Sequence, residues 1–508
     1  MIRKFSGMAA AAVLAAFASA ALADGDTLRI AHHSLPAQFG MPYGTYGTNG
    51  ALPLMSVYDS MTYVDRVGKS QPGLAVSWEA KDETTWVLKL RPGVTFHNGA
   101  PFNADAVVAN VDALNNDEVV KNQQAARYLR GIPSARRLDD LTVEIKTATP
   151  NPILPRQLAI MRPHEPKAWA DMGAAGYGRQ PIGTGPYVIS IWDNEKVLGT
   201  AFTEGWRVPK IKNLEIWELP ENAARVQALC SGQVDLANQL APDDIEPIED
   251  CGQKVVLSPT SNTINLILRH RVAESPVSDV RVRQALNYAY NKTLFIDTVL
   301  HGVTRPASQP ATHRMSGFNA ETGPYPYDPE KARQLLAEAG YPNGFDMMAE
   351  VVISTGEFRD TFSAIANDLK GVGVNLEIRI ITIPDLVQKI LRIKQWEGDA
   401  FSMMYEGYPT ADLSSNMNTH SCRVRQTGGR EPHTCLQEIM PTIEAMMAEF
   451  DLDKRTELQW NIAQFYHDQA TAIFSHERVQ VDGVNKNLMN YEVVNRAVPY
   501  HALYFTSN

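Results

Sequence analysis

The stretch RPGVTFHNGAPFNADAVVANV (residues 91–111) sets a strand end, two turns and a helix start in quick succession. Just upstream, Trp86, Leu88 and Leu90 alternate with Val87 and Lys89, the period of a half-buried strand, and Pro92-Gly93 ends it. Asn98-Gly99 makes a second turn, with the Phe96-to-Gly99 segment expected at the surface. Asn103 then caps a helix whose apolar positions Val107, Val108 and Val111 share one face. Nothing in the stretch can do chemistry, so it reads as scaffold.

The same alternation of strand and helix runs through the chain and predicts an α/β fold. Leu28 to Ala31 opens as a strand. Glu221 to Leu229 reads as a helix closed by Ser231-Gly232, and Val234 to Ala237 returns as a strand. Asp328-Pro329 supplies a cap and a first-turn proline; Leu335, Leu336 and Ala339 form the buried stripe, and Gly340 stops the helix. A strand at Asp346–Ile353, a helix at Phe362–Lys370 and a strand at Val374–Ile381 follow. In the segment Ser278 to Ala289, Val282, Ala285, Leu286 and Ala289 recur at helical spacing behind a Ser278 or Asp279 cap.

A chain of 508 residues exceeds the roughly 250–300 at which one core stops growing, so two or more lobes are expected. Its 44% hydrophobic and 20% charged content is ordinary for a globular protein. Residues 1–23 read as a cleaved signal peptide: Arg3-Lys4 precedes an apolar run from Met8 to Phe17, and Ala21-Leu22-Ala23 is a small-x-small cleavage pattern. No cysteine follows that site to carry a lipid, and no later run approaches the roughly 18 apolar residues that span a bilayer. The expected location is the periplasm. Losing Arg3 and Lys4 would take the net charge from -10 to -12, with acidic residues spread along the chain, which argues against a nucleic-acid partner. Four cysteines allow three connectivities, of which the sequence-local pairs Cys230–Cys251 and Cys422–Cys435 are favoured, each worth roughly 3 kcal/mol in the chain-entropy picture.

Catalytic motifs fail on single residues. Gly68-Lys69-Ser70 ends like a phosphate loop, but Tyr63 stands where that loop needs glycine. His476-Glu477 is followed by Gln480 where a zinc-protease helix needs a second histidine. His32-His33 and the pair His420 and His433 could ligate a metal, but strand-edge and loop roles are commoner, and neither metal nor cofactor is expected. Arg281 and Arg283 could clamp a phosphate or carboxylate, or could simply be a salt-bridged helix start.

Four stretches together resemble landmarks of the family 5 extracellular solute-binding proteins, the dipeptide- and oligopeptide-binding type. They are Gln71–Trp78 through Trp86–Gly99, Pro181–Tyr187, Asp279–Ala289, and Tyr327–Ala332 through Tyr341-Pro342, in the family's order. The resemblance implies a two-lobed, type II periplasmic binding protein with an extra subdomain in lobe I. Lobe I would take 24–270 plus 480–508, with 57–180 as the extra subdomain, and lobe II 271–479. The strand-like Asn265–Leu268 and Val479–Val481 would cross the hinge. A small-molecule ligand would bind between the lobes, and the closed form, a monomer, would dock on the membrane subunits of an ABC importer. An exported enzyme or chaperone on the same scaffold is the alternative.

Peptide binders of the family typically read the peptide's amino group with an aspartate in a segment resembling Trp-x-x-Asp-Tyr-Pro. Here the stretch is Tyr405-Glu406-Gly407-Tyr408-Pro409, and Gly407 stands at the aspartate position. The arginine that dipeptide binders use for the carboxylate has no direct counterpart: Val352 falls in register, and Arg359 could replace it after a loop shift. A simple dipeptide is therefore not the expected ligand. Met403, Met404, Tyr405, Glu406 and Tyr408 would give the cleft an aromatic and thioether wall with one carboxylate, suited to a peptide, sugar-like or amine solute, unless they are packed core.

Overall fold

The computed structural model describes residues 25–45, 48–353, 355–389, 396–423 and 434–506. The expected signal peptide (1–23) and His433 lie outside the described residues. In chain order, the principal strands are β1 (Thr27–His32), β2 (Ala75–Asp82), β3 (Thr85–Leu90), β4 (Ser134–Asp139), β5 (Thr142–Lys146), β6 (Tyr187–Trp192), β7 (Lys196–Ala201), β8 (Asn213–Glu218), β9 (Leu236–Leu240), β10 (Lys254–Leu268), β11 (Phe345–Val352), β12 (Val374–Ile381), β13 (Ala400–Glu406) and β14 (Ala472–Val484). Ten of them form one mixed sheet in the order β12-β11-β13-β10-β14-β9-β1-β8-β7-β6. The other four form a separate antiparallel sheet, β2-β3-β5-β4.

That small sheet explains the opening stretch. β3 is the strand of Trp86, Leu88 and Leu90, and helix α1 (Ala104–Asn116) packs against β4 and β5 of the same sheet, with Asn103 Oδ1 accepting from the Ala106 N–H at 3.1 Å. Val107 and Val111 are buried while Val108 is only half-buried. The turn is less exposed than its sequence suggests. Asn98 and Gly99 are exposed, but Phe96 is buried edge-on against Phe102, and His97 is half-buried. His97 N–H donates to Gly183 O at 2.9 Å, and its Nε2 lies 3.0 Å from Gly185 O, so two distant landmark stretches meet. Gly183 and Gly185 are obligatory there, because a Cβ would fall 2.1 Å from Val57 O or 2.5 Å from Val57 C.

On the other side of the large sheet, helix α2 (Val280–Ala289) is capped by Asp279, whose Oδ1 accepts from the Arg281 N–H at 2.8 Å. Arg281 pairs with Asp279, and buried Arg283 donates to the carbonyls of Val277, Ser278 and Gln469, so both arginines serve the helix start. Helix α3 (Pro329–Glu338) begins on an Asp328 cap, as its sequence predicts. Helix α4 (Gly356–Lys370) starts six residues before the predicted Phe362, because Phe358 joins the apolar face that Phe362, Ile365 and Leu369 continue. It links parallel strands β11 and β12, whose register runs from Phe345 opposite Val374 to Val352 opposite Ile381. Both disulfides form as the local pairs, with Cα separations of 5.6 Å (Cys230–Cys251) and 4.5 Å (Cys422–Cys435). Among the described residues no helix is long and apolar enough to cross a membrane.

Candidate functional site

Two long strands, β10 and β14, run antiparallel through the middle of the sheet and belong to both of its halves. Lys254 to Pro259 pair with Val484 to Val479, beside β9 and β1; Thr263 to Ile267 pair with Glu477 to Ala472, beside β13 and β11. Between them the register shifts, at Pro259 to Thr263, where proline cannot donate to the ladder. The strands are thus weakest where they pass from one half to the other.

A cavity of about 270 Å³ opens against this break. Its polar lining includes Asp65, Arg66, Arg314, Gln480, Glu492 and Arg496. Arg66 forms an ion pair with Glu492. Burial opposes the charge on Asp65, but the Lys69 and Val67 N–H groups and the Gln71 amide outweigh it and hold the carboxyl below its usual range.

The C-terminal segment forms the far wall. Val494 and Ala497 exchange backbone hydrogen bonds of 3.0 and 2.9 Å, closing a two-residue hairpin on Asn495 and Arg496, whose φ angles of 45° and 66° are those of a left-handed turn. The tip reaches the end of β13 and the residues after it. Arg496 Nη2 donates to Glu406 Oε1 at 2.6 Å, and its guanidinium lies 4.2 Å from the centre of the Tyr408 ring. Asn495 Nδ2 donates to Pro409 O at 2.8 Å, and the Tyr408 hydroxyl accepts from Arg162 at 3.3 Å. Burial opposes the charge on Arg496, yet the Glu406 carboxylate keeps that guanidinium above its ordinary range.

A second carboxylate lies six positions on. Asp412 is fully buried, accepts from Arg156 and Arg455 at 2.8 Å each, and caps helix α5 (Leu413–His420) through the Ser414 N–H. Burial would raise its pKa, but the two guanidinium groups and Ser414 overcome this and pull it down to about 2.

The residues expected to line a site divide accordingly. Glu406, Gly407 and Tyr408 come together under the hairpin tip. Tyr405 turns inward: its hydroxyl meets Thr471 at 3.2 Å, and its ring packs with Phe401 and Phe474. Met404 points to the opposite face of β13, against the cluster that contains Leu266 and Met347. Arg359 lies on the outer surface of α4, 64% exposed and paired with Asp360. Gly407 has a packing reason: its Cβ would fall 2.7 Å from the end of Met315 and 2.9 Å from Ser261 Cβ. Arg66, Arg314, Gln480 and Arg496 escaped the sequence reading. Only Asn495 carried a local signal, since asparagine favours the first position of such a hairpin turn. Among the described residues no group of three or more histidine, cysteine, aspartate or glutamate side chains is placed to hold a metal.

Residues 69–424 match the family model of bacterial extracellular solute-binding proteins, family 5. The glutathione-binding protein of Pectobacterium atrosepticum is 32% identical over 316 residues, covering 60% of this chain and 59% of that protein. The chain thus spans about three fifths of that relative's length, whereas a 28% match to the dipeptide-binding protein of Escherichia coli K12 covers 94% of both. An ABC transporter substrate-binding protein from Listeria monocytogenes has the same fold, with a TM-score of 0.84 at 19% identity over 95% of this chain and all of that one. So does a dipeptide-binding protein from Pseudoalteromonas in complex with Met-Leu, with a TM-score of 0.78 at 18% identity over 94% of this chain and all of that one.

Proposed function

The chain belongs to the bacterial extracellular solute-binding proteins of family 5, and from that premise we propose that it captures a small solute between two lobes and delivers it to the membrane subunits of an ABC importer. The observation that carries this reading is the register break in β10 and β14, which puts a cavity of about 270 Å³ at the only strand pair shared by the two halves of the large sheet among the described residues. Lobe I is assigned to 24–270 plus 480–508, with 57–180 as its extra subdomain, and lobe II to 271–479. The position of the break supports hinge points a few residues earlier, near Pro259–Thr263 and Glu477–Val479. Solute favours the closed state only by binding it better than the open one.

In this reading the protein works in the periplasm as a monomer after loss of residues 1–23, and turns over no substrate. Gly407 and the outlying Arg359 support a ligand other than a simple dipeptide, with a peptide, sugar-like or amine solute in the cleft and Glu406, Gly407 and Tyr408 on its wall. Small-angle scattering tests the proposal: protein holding the solute that co-purifies from a native periplasm has a smaller radius of gyration than protein stripped of it, and its melting temperature rises with added solute. An unchanged shape at saturation overturns the hinge.

A further inference from the structure

The contacts of Arg496 are those a protein uses to hold a cationic ligand, but the cation belongs to the chain. A carboxylate oxygen at 2.6 Å and an aromatic face at 4.2 Å are the two elements that recognise a guanidinium or ammonium group. Both come from the end of β13 and the turn after it, while Arg496 arrives from 90 positions further along the chain. The arginine is only 12% exposed and Glu406 only 21%, so the pair is largely shielded from water.

The backbone does not favour this arrangement by itself. Asn495 tolerates a left-handed conformation, but Arg496 at φ 66° is a residue type that adopts it rarely. The tip is therefore held by what it touches: Glu406, Tyr408 and the Pro409 carbonyl, and a crevice walled by Tyr408 together with Ser60, Tyr63 and Arg162. About 20 Å³ remains free in that crevice, room for roughly one water and for no solute group. The same arginine also lines the larger cavity, whose lining does not include Glu406. A solute in the larger cavity can reach Glu406 only by moving the tip.

We infer that Glu406 and Tyr408 form a subsite for a guanidinium or ammonium group, and that Arg496, on its two-residue hairpin, is the subsite's built-in occupant. The inference rests on the solute-binding reading and deepens it. A solute bearing such a group displaces the hairpin tip, and a solute lacking one binds beside Arg496 with the tip in place. Arg496 is thus a specificity element that makes a cationic solute compete with the chain's own cation.

Methylguanidine is the probe, used on the full mature chain. Arg496→Ala binds it at least about tenfold more tightly than the wild type by calorimetry. Adding Glu406→Gln to that variant returns the affinity to the wild-type level, and Arg496→Lys behaves as the wild type. Equal affinity in wild type and Arg496→Ala, or tight binding kept in the double variant, overturns the inference. Should Arg496→Ala fail to fold, hydrogen exchange on the wild type decides: amides of residues 491–498 exchange faster with methylguanidine than with the same concentration of sodium chloride, and unchanged exchange refutes displacement. A protein that closes on its co-purified solute in scattering yet fails these comparisons loses the subsite and keeps the binding function.

Discussion

Glu406 and Asp412 stand six positions apart on one segment, and each takes an arginine from a remote part of the chain, but they do different work. Asp412 is sealed, holds Arg156 and Arg455 together and caps α5. Glu406 is partly open, holds one arginine, and that arginine sits on a two-residue hairpin bordering a cavity. A carboxylate surrounded on all sides by partners fixed in regular structure is a staple. One whose ion-pair partner rides on a short hairpin is a contact that can be exchanged, and the difference lies in the supporting backbone rather than in the ion pair itself.

The largest expected effect breaks the staple. Asp412→Ala leaves Arg156 and Arg455 without their carboxylate and should cost about 3–5 kcal/mol in urea unfolding. Glu406→Gln removes one charged partner from a single arginine and should cost less, about 1.5–3 kcal/mol. Similar losses at the two positions would abolish the distinction. Acid sharpens it further. With a folded pKa of about 2, below the unfolded value, Asp412 contributes stability that is complete above the unfolded carboxyl range and lost as pH falls through about 2, and the Asp412→Ala variant lacks that part of the acid transition.

A third buried carboxylate gives the opposite pH dependence at the base of the hairpin. Burial raises Asp482 to about 6 despite hydrogen bonds from the Gln239 N–H, Gln480 and the Tyr491 hydroxyl. A carboxyl whose folded pKa exceeds its unfolded one stabilises fully below the unfolded pKa, and that contribution is lost as pH rises through about 6. Wild-type stability should therefore fall on the order of 2–3 kcal/mol between about pH 4 and pH 7 at this site, and Asp482→Asn should flatten the profile, as chemical denaturation across that range will show.

The last effect concerns the glycine between the two junctions. Gly407→Asp forces its side chain against Met315 and Ser261 and should lower stability by about 1–3 kcal/mol. The penalty should shrink when Met315 is also replaced by alanine. An additive double variant would show that Met315 is not the reason for the glycine.

Much of the fold was legible because its signals are local. The Asn103, Asp279 and Asp328 caps, the first-turn Pro329 and the period-2 run of β3 act within a few residues, and each element formed where those residues lie. The disulfide pairs were legible for the same reason. Helix α4 began earlier than predicted because Phe358 gains its value as an apolar residue only from the cluster it joins.

By itself, the amino-acid sequence determined the alternation of strands and helices, the local disulfides and the family landmarks, all of which follow from backbone preference and hydrophobic period over short spans. Only tertiary structure decided that the Phe96-to-Gly99 turn is clamped against Gly183 and Gly185, that Tyr405 faces inward while Glu406 meets Arg496, and that Met315 leaves no room for a side chain at 407. Arg496 and Glu406 are 90 positions apart, and Arg156 and Asp412 are 256 apart. No local propensity encodes such pairs: the entropy of bringing the ends together is offset only by the packed core that fixes both partners.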